Sequence, residues 1–249
     1  MKKVALIVLV FCVVLPSLSM AENRLLNKDF MKSATLADIR REIENGADLN
    51  AKADENSKQY HFGDTPLMLA TVYNSNSEII KALIRGGADV SARNTFDRTA
   101  LMLEAGSSKP NLEIIKVLIR SGADVNTKSS AHPYSGSTPL MFAARNNNRK
   151  VAEILIKAGA DVSARSEEDG STVLMSAALA NSNSEIIKVL IRSGADVNAR
   201  SKGGWTVLMF AAQINSNSEV ITALIRSGAD VNARSYGIPS RTALTVAAG

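Results

Sequence analysis

The triplet Gly-Ala-Asp occurs six times in this chain of 249 residues, beginning at Gly46, Gly87, Gly122, Gly159, Gly194 and Gly228. The spacings are 41, 35, 37, 35 and 34 residues. A period of this size marks a stack of small supersecondary units, because one such unit is too small to bury its own apolar face. Before the triplets run apolar helical patterns such as Ile79-Ile80-Lys81-Ala82-Leu83-Ile84-Arg85. After most of them come Val-Asn or Val-Ser, then Ala and a base. Thr-Pro-Leu-Met or a variant follows at Thr65, Thr99, Thr138, Thr172, Thr206 and Thr242, and each opens a short Ala-rich helix.

The residues of one unit specify two helices. Ser75-Asn76-Ser77-Glu78 reads as a capping box, in which the serine accepts from the third amide and the glutamate reaches back; it recurs from Ser182 and from Ser216. Ile79, Ile80, Leu83 and Ile84 then form one apolar stripe. Arg85 sits in the last turn, where the helix dipole favours a cation, and Gly86-Gly87 supplies a left-handed stop. The other helix starts at Thr65 as N-cap with Pro66 at the first helical position. Its alanines let neighbouring helices approach closely. Stacking of copies into an elongated solenoid buries both faces.

This pattern resembles the ankyrin-repeat family, in which a β-turn and two antiparallel helices recur about every 33 residues and T-P-L-H-x-A opens the first helix. Thr65-Pro66-Leu67-Met68-Leu69-Ala70 and Thr138-Pro139-Leu140-Met141-Phe142-Ala143 carry the resemblance best, and it spans roughly Phe30 to the end. It implies an all-α fold: an ankyrin-repeat solenoid of stacked helix-turn-helix units joined by β-turn fingers. The expected organisation is a signal peptide at 1–21 and a repeat domain at 22–249. Within it come a polar N-terminal cap at about 27–62, five full repeats at about 63–234 and a partial last repeat at 235–249, whose second helix is missing. Three departures stand out. The family's histidine is Met68, Met102, Met141, Met175 and Met209, a flexible apolar filler. The connections from Asn50 to Asp64 and from Asn126 to Ser137 are longer than the family's usual length. Glu104 stands where the other repeats place Ala70, Ala143, Ala177 and Ala211. A lone buried carboxylate is costly. Either a local shift beside Gly106 lets Glu104 reach solvent, or it is a buried acid paired with a base of a neighbouring repeat.

The first residues read as a bacterial secretory signal. Lys2 and Lys3 precede an apolar run from Val4 to Leu15, and Ser19 and Ala21 occupy the small positions of a cleavage site. The run of 12 residues is short for a membrane span, which needs about 20. Cleavage after Ala21 removes Cys12, the single cysteine, and leaves a chain with nothing to mispair in an oxidising compartment. It also leaves 27 basic against 24 acidic residues, too even a balance for a nucleic-acid binder. The expected location is periplasmic or secreted, with no membrane insertion after cleavage.

No catalytic constellation is present. There is no nucleophile elbow, phosphate loop or H-E-x-x-H. His61 and His132 fall in two long fingers that belong to alternate turns, about 20 Å apart at the ~10 Å spacing of packed helices, too far for one metal. Glu167-Glu168-Asp169 reads as a solvated acidic turn. Neither cofactor nor metal is implied, and the chain reads as non-enzymatic. Two basic columns, Arg85, Arg120, Lys157, Arg192, Arg226 and Arg93, Lys128, Arg165, Arg200, Arg234, run beside the aspartates of the triplets. They read as a self-compensating surface ladder.

The family resemblance implies protein binding on the concave side, through turn tips and the exposed face of each first helix. Carried onto this sequence, the candidates in repeat 1 are His61, Phe62, Asp64, Val72 and Tyr73, and in repeat 2 Thr95, Phe96 and Arg98. Repeat 3 adds Tyr134, Ser137, Arg145 and Asn146; repeat 4 adds Glu168, Asp169, Ser171 and Leu179. Repeat 5 adds Lys202, Trp205, Gln213 and Ile214, and Tyr236 and Arg241 extend the row. Second helices of repeats 1, 4 and 5 are nearly identical, whereas their tips are unrelated. Aromatics make up only 4% of the chain, and many of them fall on tips or first helices, where they suit interface anchoring. The partner is an unidentified protein, in the periplasm or, alternatively, of a host; self-association through the unfinished last repeat is a third reading.

Overall fold

A computed structural model describes residues 23–53, 62–180, 184–214, 218–237 and 239–248. The signal-peptide segment with Cys12, the finger residue His61, and the proposed capping serines Ser182 and Ser216 lie outside the described residues.

A short 3-10 turn, Arg24–Leu26, leads into α1 (Lys28–Ser33) and α2 (Leu36–Glu44), which form the N-terminal cap. Five helix pairs follow: α3 (Pro66–Tyr73) with α4 (Ser77–Arg85), α5 (Ala100–Ala105) with α6 (Leu112–Arg120), and α7 (Pro139–Arg145) with α8 (Arg149–Lys157). Then come α9 (Val173–Leu179) with α10 (Ser184–Arg192), α11 (Val207–Ile214) with α12 (Ser218–Arg226), and a final α13 (Ala243–Ala247). The first helices α1, α3, α5, α7, α9, α11 and α13 pack in one layer, and α2, α4, α6, α8, α10 and α12 in a second. The core runs between the layers as one continuous cluster from Leu25 to Ala229. Extended pairing is limited, among the described residues, to single bridges Arg165–Thr172 and Arg200–Thr206 at turn bases.

The first helices start where the threonines place them. Thr65, Thr99, Thr138 and Thr172 each accept, through the hydroxyl, the amide of the methionine three residues on, at 3.3–3.4 Å. Those methionines are all buried, so each fills the core beneath its own cap. The second helices differ from expectation. The N-cap of α4 is Asn76, whose Oδ1 accepts from the Glu78 amide at 3.0 Å, and Ser77 is already helical. Ser75 therefore makes no capping box, and Glu78 pairs with Lys81 at 2.7 Å instead. Ile79, Ile80 and Leu83 are fully buried, with Ile84 at the edge of the stripe. Gly87, at φ 106°, turns the chain out of the helix, and the Ala88 amide reaches back to the Leu83 carbonyl.

Successive turns are joined by two polar devices. Asn50, Asn126 and Asn198 each clamp the next Gly-Ala-Asp turn: Nδ2 donates to its glycine carbonyl at 2.9–3.1 Å and Oδ1 accepts from its aspartate amide at 2.8 Å. Ser91 and Ser163 occupy the same turn position and are too short to reach. Across those seams Arg93 donates to the Lys128 carbonyl at 2.9 Å and Arg165 to the Arg200 carbonyl at 2.7 Å. Arg200 does likewise to the Arg234 carbonyl at 2.7 Å. The triplet aspartates spend their carboxylates on their own turns, as Asp89 does on the Ser91 amide at 2.8 Å. The expected self-compensating ladder of bases against these aspartates therefore does not form: among the described residues no ion pair joins those columns. Arg93, Arg165 and Arg200 serve instead as backbone cross-links.

Candidate protein-interaction face

Turn tips hang beyond the first helices and are tied into a row. The Thr95 amide donates to the Phe62 carbonyl at 3.2 Å, Glu167 to Ser135 at 2.9 Å, Lys202 to Asp169 at 2.8 Å and Tyr236 to Gly203 at 3.0 Å. Between the second and third tips the Asp97 carboxylate accepts from the amide and hydroxyl of Ser130. The approach is tight. Gly204 lies at φ 73°, and a Cβ there would come within 2.6 Å of the Tyr236 amide, so only glycine serves. Side chains on these tips start from fixed backbone.

Two aromatic pairs stand on this face, each formed by a tip residue and a first-helix residue. Tyr134 meets Phe142 of α7 at 5.5 Å, tilted 41°. Trp205 meets Phe210 of α11 at 5.3 Å, tilted 44°. Phe142 and Phe210 are site residues absent from the sequence-derived candidates. Their signal is visible: phenylalanine stands four residues after the capping threonine in repeats 3 and 5, where the other repeats have Leu, Ser or Val. Beside the second pair a cleft of about 280 Å³ is lined by Asp169, Ser201, Lys202, Trp205, Phe210 and Gln213.

Arg98 lies against the first pair. Its guanidinium carbon is 4.4 Å from the Tyr134 ring centre, 5.3 Å from Phe142 and 5.9 Å from Phe96. Arg145, exposed at the end of α7, sits 5.5 Å from the same Tyr134 ring. These are cation–π distances. The remaining candidates are distributed less evenly. Val72, Phe96 and Tyr236 are exposed, Tyr236 with Arg200 at 5.7 Å. Tyr73 is half-buried beneath Lys28 at 5.1 Å, and burial together with the nearby Asp64 carboxylate pushes its hydroxyl above the usual tyrosine value. Phe62 is half-buried, and Thr95 is exposed with its hydroxyl on the Phe62 carbonyl at 2.6 Å. Asn146 donates to the Phe142 carbonyl at 3.1 Å. Glu168 is exposed 3.1 Å from His132, and Lys202 holds the Glu167 and Glu168 carbonyls. Gln213 and Arg241 are exposed and Leu179 half-buried; the side chain of Ile214 is outside the described set.

Three candidates are corrected. Asp64 is 1% exposed and accepts from Asn94 Nδ2 at 2.7 Å, so it braces the first tip from within and offers no surface. Ser137 and Ser171 are likewise buried at turn bases. Glu104 does not reach solvent: it is 4% exposed, and its Oε1 accepts from the Asn111 amide. No base of a neighbouring repeat forms an ion pair with it among the described residues. Burial pushes its carboxyl up to about 7, with the Asn111 amide pulling the other way. Among the described residues no group of three or more His, Cys, Asp or Glu side chains is placed to hold a metal ion. No described helix is long and apolar enough to cross a membrane.

The sequence pattern described as "Ankyrin repeats (3 copies)" matches residues 35–129, 67–166, 105–201 and 164–235, together running from 35 to 235. The chain belongs to the ankyrin-repeat family. Members are typically non-catalytic scaffolds for protein–protein interaction. No curated protein matches the chain.

Proposed function

We propose that this chain is an exported, non-enzymatic scaffold that binds a partner protein on the concave face built by turn tips and first helices. The observation that carries the reading is the pair of tip-to-helix aromatic contacts, Tyr134 on Phe142 and Trp205 on Phe210, set on tips already bonded to one another. Aromatic side chains on a pre-ordered backbone lose little entropy on binding and make strong anchors. Export follows from the reading of residues 1–21 as a cleaved signal, with a periplasmic or secreted destination; mature protein isolated from cells begins at Glu22 on this account.

The test is in-cell cross-linking and mass spectrometry with the wild type and a Tyr73→Ala/Phe96→Ala/Trp205→Ala variant. A partner captured by the wild type and lost from the variant supports the face. A partner retained by both places the contact elsewhere. One observation favours a second reading, self-association. An apolar cleft of about 480 Å³ lies between α12 and α13, lined by Leu208, Ile221, Ile225, Val231 and Leu244, with Leu244 78% exposed. Leu244→Glu abolishes a dimer in light scattering if that cleft is the contact.

A further inference from the structure

We infer that the concave face reads an acidic segment of its protein partner, through Arg98 and Arg145 beside repeat 3's aromatic pair. The inference rests on the proposed function and narrows it. Both guanidinium groups lie within 6 Å of the Tyr134 ring, at 4.4 and 5.5 Å. Arg98 is further held against Phe142 and Phe96. Its Nε is buried with no hydrogen-bond partner. Neither arginine forms an ion pair among the described residues, whereas Arg93, Arg165 and Arg200 on the turns are committed: Arg93 to Asp97 at 2.7 Å and the Lys128 carbonyl, Arg165 and Arg200 to two carbonyls each.

The acids near this node are already occupied. Asp97 accepts from Arg93 and Ser130, Asp64 is buried against Asn94, Glu167 accepts from the Ser135 hydroxyl at 3.2 Å, and Glu168 faces His132. Among the described residues the chain thus supplies two cations over the Tyr134 ring and no acid that ion-pairs with them. With Nε buried, the terminal Nη groups of Arg98 are the ones left to meet a carboxylate, which they can do end-on and bidentately. The aromatic floor excludes water from one side and strengthens the pairing. Phe96, 44% exposed beside them, offers apolar contact to the same segment. A partner bearing aspartate or glutamate next to an apolar residue fits this chemistry.

The probe is a phage-displayed library of random peptides selected on the purified protein. Enrichment of Asp- or Glu-containing sequences is expected. One of them, resynthesised, should lose about tenfold or more in affinity with Arg98→Gln/Arg145→Gln, with Asp/Glu→Asn/Gln changes in the peptide, and at high salt. Unchanged melting curves confirm that the variant folds, and the wild-type salt dependence stands even if it does not. Arg98→Lys, which keeps the charge but loses the planar fork, should recover only part of the binding. Enrichment of apolar peptides that depend on Trp205 but not on the arginines overturns the acidic reading and leaves the face intact. No enrichment at all overturns both. Equal binding of a single-stranded oligonucleotide would show a generic polyanion surface and also overturn it.

Discussion

Repeats 2 and 3 share one blueprint and solve its polar problems differently. The slot five residues after the capping threonine holds Glu104 in α5 and Ala143 in α7, and both are buried, at 4% and 0% exposure. The reason lies in the loop that follows. In repeat 1 the amide of Asn76 bonds to Asn74 Oδ1 at 3.0 Å, while Asn74 Nδ2 holds the Met31 and Ala34 carbonyls. α5 is two residues shorter than α3, and no asparagine stands at its end. The equivalent amide, on half-buried Asn111, would be left without an acceptor from its own loop, and the buried Glu104 supplies one. In repeat 3 the corresponding amide, on Asn148, already bonds to the Ala143 backbone carbonyl at 2.9 Å, so its slot needs only a small apolar residue. Helix contacts are interchangeable between repeats. Polar closures are not.

The harshest way to break the comparison is to move the acid. Ala143→Glu places a carboxylate where no amide awaits it and where a larger side chain overpacks the stack, and should cost about 4 kcal/mol or more by chemical denaturation. If it is tolerated, the slot itself accommodates acids and the account of Asn111 fails. Next in size is the pH dependence of Glu104. Its carboxyl is raised to about 7 from an ordinary 4.5, so the folded state holds the proton more tightly than the unfolded chain. The associated stability is fully present below the unfolded value and is lost as pH rises through the folded one, about 3 kcal/mol in all. Melting scans between about pH 5 and pH 8 should show this slope in the wild type. Glu104→Gln keeps an acceptor for the Asn111 amide and should flatten it; a slope that survives assigns the titration elsewhere.

How much of this was legible in the sequence follows the same division. The phased threonines, the Gly-Ala-Asp triplets and the apolar stripe of α4 specify helices, caps and stops, because each acts within one or two turns of chain. Glu104 was conspicuous by alignment, yet its partner is an amide on the next loop, and residue identity says nothing about a backbone donor. Arg93 and Arg165 read as surface charge but cross-link carbonyls in the following repeat, a contact set by the stacking geometry. Asp64 read as a tip residue, and the close approach of Asn94 from the next turn buries it. Phe142 and Phe210 were missed because a phenylalanine at a helix position reads as core until a tip aromatic comes down on it.

The gentlest tests concern the seams. Asn126 makes two hydrogen bonds to the next turn, so Asn126→Ala should cost about 1–2 kcal/mol at roughly one per bond. Ser91 makes no such link, and Ser91→Ala should stay within about 0.5 kcal/mol. The sharper change is the reverse one, Ser91→Asn. Ser91 sits in the same turn geometry as Asn126: in both cases the amide donates at 2.8 Å to the carboxylate of the aspartate two residues before it. The Gly122 carbonyl and the Asp124 amide are then the partners an asparagine at 91 would find. A gain of about 0.5–1 kcal/mol is expected, visible as a raised denaturation midpoint with an unchanged slope. The Arg93 cross-link is no obstacle, since Asn198 and Arg200 place clamp and cross-link at one seam. A loss would mean that the turns at Gly87 and Gly122 stand at a spacing the clamp cannot span.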